Sequence, residues 1–328
     1  MTSAPDSSVR GTRSRVDRRV VTGAGGLPLA VYERNRPDIA DKEHRTVLLI
    51  HGYPDDHSVW DPVADLLARH FHVVTYDVRG AGVSGVPART ADYRLDRLAV
   101  DASAVLDATV PEGHQVHLVG HDWGSIQGWH FVCDPSLSPR IASFTSISGP
   151  QLDAVGGFFR RNSASAPATR AVAAQAASSW YVAAIQLPFL APSFWRSPIA
   201  HRMWPRILAR VEGLPAKHIP GEHQVARTQL NGAHGVGLYR ANMARSVGFP
   251  KPRRTAVPVQ VIVPGHDRYV STELAEVALD VAEDVMFVPV DAGHWLPLRD
   301  PDLVAVRGGR THRPARRPTH MNPPEDQR

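Results

Sequence analysis

The 328-residue chain holds one cysteine, Cys133, so no disulfide can form within it and nothing calls for an oxidising compartment. It also has no apolar run long enough to span a bilayer. The greasiest stretch, Val182 to Trp195, contains Gln186, Pro188 and Pro192 and falls short of the ~20 apolar residues that a span needs. The N-terminus carries arginines and serines with no apolar segment behind them, which argues against a secretory signal and leaves a cytoplasmic setting as the expectation. Internal repeats are absent, which excludes solenoids and propellers. The Gly-rich run Tyr76-Asp-Val-Arg-Gly-Ala-Gly-Val-Ser84 lacks the form of a phosphate-binding loop and reads as scaffolding. No cofactor and no metal are expected.

A net charge of +5 and a pI near 9.6 point toward nucleic acid until the charge is located. Residues 1–19 carry five arginines against Asp6 and Asp17, and residues 307–328 carry six against Glu325 and Asp326. The chain between these ends is slightly acidic. Basicity concentrated in two polar, Ser/Gly/Pro/Arg-rich ends describes solvated tails, so no nucleic-acid partner is expected. Hydrophobic residues at 43% supply enough apolar material for a large core.

Short β-rich runs alternate with helix-length segments: Thr46 to Ile50, His72 to Val78, Val116 to Val119, Ile141 to Ile147, Val259 to Val263 and Val285 to Val290. Runs such as Thr-Val-Leu-Leu-Ile are poor in charge, as strands covered on both faces by helices must be, and predict a mostly parallel sheet. Arg19 to Asn35 alternates more and breaks at Gly23 to Gly26, which predicts an antiparallel hairpin at the sheet edge. The alternation stops after Gly149-Pro150 and resumes near Val257-Pro258. The interrupting residues are rich in alanine, proline and aromatics, among them Phe158, Phe159, Phe189, Phe194, Trp195 and Trp204, and predict a helical lid over the carboxyl ends of the strands. The expected divisions are a tail over 1–19, a core over 20–150 and 251–306, a helical cap over 151–250, and a basic tail over 307–328.

The most specific motif is Val116-His-Leu-Val-Gly-His-Asp-Trp-Gly-Ser125: a strand, then Gly120-x-Asp122-x-Gly124, then a helix. A side chain presented on so sharp a strand-to-helix turn needs small residues two before and two after it, because the central residue adopts a strained backbone. Asp122 stands where serine is the usual nucleophile. A carboxylate is ionised at neutral pH without help from a base and suits attack at a tetrahedral carbon. Upstream, His51-Gly-Tyr-Pro54 ends a strand in a tight turn and offers the Tyr53 amide, beside that of Trp123, to an oxyanion. Downstream, Gly265-His-Asp267 and Gly293-His294-Trp295 each follow a strand. Nucleophile, acid and histidine therefore occur in the order Asp122, Asp267, His294.

On these motifs the chain, from about residue 20 to about residue 304, resembles the epoxide hydrolases of the α/β-hydrolase superfamily, in the form of the hydrolase half of fusions with a short-chain dehydrogenase. The resemblance implies an α/β-hydrolase fold, an inserted lid, and opening of a small hydrophobic epoxide by water to a vicinal diol through an ester on Asp122. It also implies two acid tyrosines, matched by Tyr181 in Trp180-Tyr-Val-Ala-Ala and by Tyr239 in Gly237-Leu-Tyr-Arg-Ala. His51, Pro54, Trp180 and Trp295 are expected to line the substrate pocket.

Two other readings share these residues. A haloalkane or haloacid dehalogenase would use the same Asp122 and His294, with the Trp123 indole facing halide, but halide leaves without a proton and Tyr53 replaces the asparagine common in haloalkane enzymes. A ligand-binding homologue without turnover is suggested by the C-terminus. The run after Asp300 meets Arg307-Gly-Gly-Arg, which cuts the final helix short and is expected to expose sheet surface and loosen the His294 loop. Oligomeric state is left open.

Overall fold

Eight strands form one sheet, and their composition explains which of them occupy its centre. A computed structural model of the chain describes residues 14–37, 45–162, 175 and 180–309. The opening hairpin is β1 (Val16–Thr22) and β2 (Pro28–Arg34), paired antiparallel from Val16 opposite Arg34 to Thr22 opposite Pro28. β1 begins at Val16, inside the stretch read from composition as tail, because an edge strand with one solvated face tolerates Asp17, Arg18 and Arg19. The remaining residues of the two predicted tails lie outside the described residues, apart from Ser14, Arg15 and the short C-terminal stretch treated below.

The chain then alternates strand and helix: β3 (Thr46–Ile50), α1 (Asp61–Leu67), β4 (His72–Tyr76), α2 (Leu95–Thr109), β5 (Val116–His121), α3 (Trp123–Val132) and β6 (Ile141–Ile147). α2 turns Leu95, Leu98, Ala99, Ala102, Val105 and Leu106 inward at helical spacing, and each larger apolar side chain so buried contributes roughly 1.5–3 kcal/mol. α3 is buried along its whole length. Helices α4 (Leu152–Asn162), α5 (Trp180–Gln186), α6 (Leu190–Trp195), α7 (Pro198–Arg210) and α8 (Glu222–Gly248) follow before β7 (Val259–Pro264). After β7 come α9 (Thr272–Ala275), β8 (Val285–Val290), α10 (Leu296–Arg299) and α11 (Pro301–Gly308).

The sheet order is β1-β2-β4-β3-β5-β6-β7-β8, with only the β1–β2 and β2–β4 pairings antiparallel. β3, β4, β5 and β7 are buried at every residue, which matches their near-continuous apolar sequences. The carboxyl ends of β3, β5, β7 and β8 all open on one side, beneath the helices that separate β6 from β7.

α8 spans 27 residues, roughly 40 Å at 1.5 Å per residue, and is stitched to the loops of the sheet. Gly82 N–H donates to Asn231 Oδ1 at 2.9 Å, Leu95 N–H to Asn242 Oδ1 at 3.1 Å, and the Tyr53 hydroxyl to Gly232 O at 3.0 Å. The scaffolding role read for the Gly-rich loop has a physical basis: Arg79, 2% exposed, places Nε and Nη2 on the two Asp101 oxygens at 2.6 Å each.

α11 is eight residues long and ends at Gly308, so the final helix is short, as the Arg307-Gly-Gly sequence requires. It still buries Val304 completely, in a cluster with Val63, Leu67 and Val119, while Met286 and Val290 of β8 stay partly buried. The expected loosening of the His294 loop is not what the structure shows. His266 N–H donates to Ala292 O at 3.0 Å, and His294 O accepts both Leu296 N–H at 2.8 Å and His121 Nε2–H at 2.9 Å. These bonds hold the loop without a longer helix.

Candidate active site

Asp122 sits where β5 turns into α3, with φ 51° and ψ −120°, a conformation that costs a residue with a side chain about 1–3 kcal/mol. The motif's glycines make the turn possible. A Cβ on Gly124 would lie 1.9 Å from Ile50 O and one on Gly120 would lie 2.4 Å from Gly124 O, so strand, turn and helix meet backbone to backbone. The carboxylate receives the Tyr53 amide on Oδ1 at 2.6 Å and also the Trp123 amide, at the amino end of a helix, where an anion is favoured. Burial nevertheless lifts its pKa to about 6, against the opposing pull of His294 and the two amides.

His294 Nε2 lies 3.7 Å from Asp122 Oδ2, and its Nδ1 faces both Asp267 oxygens at 3.1 Å. Asp267 is fixed in turn by the amides of Tyr269 at 2.8 Å and Val270 at 3.1 Å. Burial opposes charge on His294, but Asp267 and then Asp122 outweigh it and carry the imidazole to about 9. For Asp267 burial raises the pKa, while the charge and hydrogen bond of His294 more than reverse it, leaving the acid below its ordinary value. The resting arrangement at neutral pH is therefore an imidazolium between two carboxylates.

A cavity of about 630 Å³ lies before these groups, lined by Asp122, His294, Tyr53, Pro54, Tyr181, Tyr239, Tyr269, Arg268, Trp295 and an apolar wall that includes Leu190, Phe194, Trp195 and Trp204. The rings of Tyr181 and Tyr239 meet edge to face at 6.2 Å, and both phenols are held far above their ordinary pKa, first by burial and then by neighbouring charge that includes Asp122. They are neutral phenols lining the same cavity as the Asp122 carboxylate.

Pro54 and Trp295 line the cavity as expected from the sequence, and the Trp295 indole donates to Asp55 Oδ2 at 2.9 Å. Burial raises Asp55 to about 7. His51 does not line it. Its ring is 3% exposed, Nδ1 pairs with Gly52 O at 2.8 Å and Nε2 accepts Val78 N–H at 2.9 Å, so it braces two strand-end loops behind the site. The Trp123 side chain is also buried, against Tyr239 at 4.8 Å, and does not line the cavity. The Trp180 side chain lies outside the described residues.

Sequence reasoning passed over Tyr269, whose ring meets His294 at 4.6 Å and Tyr181 at 5.6 Å, and Arg268 beside it. The available signal was an aromatic two residues past the acid of the triad. It also passed over Glu212, buried near Gly293. Among the described residues one group, Asp56, His57 and Asp77, brings potential metal-ligand atoms within 4.8 Å of one another. Its lone pairs are already engaged: Asp77 accepts the His57 ring and amide, the Tyr32 hydroxyl and Val83 N–H, and Asp56 Oδ1 accepts the amide and hydroxyl of Ser58.

Comparison with known proteins agrees with this geometry. Residues 45–301 match the alpha/beta hydrolase fold family. The chain is 35% identical over 296 residues to a Mycobacterium tuberculosis protein named "Probable oxidoreductase EphD", covering 88% of this chain and 48% of that one. It thus spans about half the length of that relative. Human epoxide hydrolase 4 is 23% identical over 286 residues, covering 84% of this chain and 72% of that protein. The solved structure of Bacillus megaterium epoxide hydrolase superimposes with a TM-score of 0.70 at 20% identity, covering 89% of this chain and 98% of that one. No helix among the described residues is long and apolar enough to cross a membrane. Sheet order, strained turn and matched span lead to one conclusion: the chain belongs to the alpha/beta hydrolase fold family.

Proposed function

We propose that this protein opens a hydrophobic epoxide to a vicinal diol through an alkyl ester on Asp122. The observation that carries the reading is a pair of neutral phenols, Tyr181 and Tyr239, in the same cavity as a carboxylate nucleophile. An alkoxide is a poor leaving group and needs a proton, whereas a halide needs only donors, so two phenols in the cavity of the nucleophile favour an epoxide over a haloalkane.

In the first step Asp122 Oδ2 attacks an epoxide carbon, the ring C–O bond breaks, and a tyrosine gives its proton to the departing oxygen. Ester formation removes the charge of Asp122, and with it one of the groups that keep His294 protonated. The imidazole then falls back toward the range in which it acts as a base, and the proton it gives up restores the tyrosine that protonated the ring oxygen. In the second step His294, oriented by Asp267, takes a proton from water, and the hydroxide adds to Asp122 Cγ. The charge develops on Oδ1, already held by the Tyr53 amide at 2.6 Å. Collapse breaks the Cγ–Oδ2 bond, the diol leaves with that oxygen and a proton from His294, and the acid left on Asp122 gives its own proton to the imidazole, which restores the resting pair.

One turnover of a small aromatic epoxide in heavy-oxygen water tests this directly. The label is expected in Asp122, with the first diol unlabelled, and Asp122→Ala is expected to form no diol. Label appearing in the first diol instead would mean direct attack by water and would remove the ester from the scheme.

A further inference from the structure

Glu212 follows α7 in the helical insertion, far in sequence from every motif of the site. The residue is 6% exposed, and its side chain lies against the loop that carries His294. Oε2 would lie 3.3 Å from a Cβ on Gly293, and Oε1 is buried with no hydrogen-bond partner among the described residues. Withdrawing a carboxylate from water is unfavourable unless nearby positive charge or strong donors offset it. None of the described ion pairs engages Glu212. Among nearby positive groups the His294 imidazole favours its charged form most, with Arg268 at the cavity rim a lesser influence.

We infer that Glu212 is a positioning residue, a carboxylate lent by the helical insertion to the rear of His294, so that the base of the second step is assembled only together with the packed insertion. The inference rests on reading His294 as that base. The imidazole is surrounded on several sides. Asp267, Arg268 and Tyr269 face it from the loop after β7, Asp122 and the neutral His121 from the turn after β5, and Asp55 from the loop after β3. Asp267 takes Nδ1 and Asp122 faces Nε2, so Glu212 makes no ring contact of its own. It acts through the loop backbone and through charge.

This placement accounts for an acid of the insertion that is buried beside the His294 loop with an oxygen left unpaired. It also couples two parts of the chain. If α7 moves away from the His294 loop, Glu212 withdraws and the imidazole loses one of the charges that favour its protonated form.

The test is the titration of the His294 ring by NMR in the wild type, Glu212→Gln and Glu212→Asp. The Gln variant keeps the shape and removes the charge, so the midpoint is expected to fall by about one pH unit. The Asp variant keeps the charge on a shorter stem and is expected to lie between. Ester hydrolysis followed against pH is expected to move its limb to lower pH in the same order, whereas a merely structural residue would lower the rate at every pH and leave the limb in place. An unchanged His294 midpoint in either folded variant overturns the inference. The titration needs no turnover, so a wild type that forms no diol would refute the proposed reaction while the midpoints still report on Glu212.

Discussion

Replacing His294 by glutamine separates the two halves of the proposed reaction, and its effect on the first half can be worked out from one distance. His294 Nε2 stands 3.7 Å from Asp122 Oδ2, and at an effective dielectric of about 20 a charge pair at that separation is worth about 4.5 kcal/mol. That corresponds to about three pKa units as an upper bound, since the Tyr53 and Trp123 amides remain. Asp122, already at about 6 because of burial, therefore moves to between 7 and about 9 in the variant. At neutral pH ester formation is expected to slow by roughly twofold to a hundredfold and to recover as the pH is raised toward about 9. The second half has no base, so ester hydrolysis is expected to fall by about 10²–10⁴-fold at every pH. Rapid-quench intact mass spectrometry with one equivalent of epoxide reads both, as a mass gain equal to the substrate that forms faster in alkali and then persists. A variant that accumulates no adduct at alkaline pH, or that releases diol at the wild-type rate, would refute the reasoning.

Three further outcomes follow from the same structure. Tyr181→Phe and Tyr239→Phe are each expected to slow ester formation by about 10²-fold or more while leaving hydrolysis of preformed ester nearly unchanged, which burst kinetics will separate. Arg79→Met leaves Asp101 buried without its bidentate partner and is expected to cost about 3–5 kcal/mol in chemical denaturation. His294 has a folded pKa of about 9 against an ordinary value near 6.5, a stabilisation on the order of 3 kcal/mol that is complete below the ordinary value and lost as pH rises through about 9. The wild type is therefore expected to lose stability between neutral and alkaline pH more steeply than the double variant His294→Gln/Asp122→Asn, which holds neither group, as thermal melts will show.

The turn around Asp122 was legible because sterics restrict it to few residues: Gly120 and Gly124 stand where any Cβ would strike backbone. Asp267 and His294 were legible for a related reason, since both follow predicted strands whose carboxyl ends must lie side by side in a parallel sheet. Direction was harder to read. His51 follows β3 at the right place, yet nothing local reveals that its ring turns away toward Val78 N–H. Tyr269 and Glu212 were invisible for a different reason. One is a lone aromatic in a loop and the other a lone acid after a helix, and their meaning arises only when separate segments converge on His294. The same applies to the His294 loop, whose support comes from His121, Ala292 and Leu296 rather than from the length of the last helix. At the amino end, arginines disguised an edge strand as a solvated tail.

The two phenols stand on unequal mechanical footings. Tyr239 belongs to α8, which is riveted to the sheet through Asn231, Gly232 and Asn242, whereas Tyr181 belongs to α5, whose described hydrogen bonds run to α8 itself, from Arg240 to Ile185 O and Leu187 O and from Gln186 to Tyr239 O. One donor is thus a fixed datum and the other a jaw hinged upon it. An oversized guest would tilt the jaw before it disturbed the datum, sacrificing one proton source while the other kept its bearing on the nucleophile, so tolerance of bulk should decline by degrees rather than end at a sharp limit.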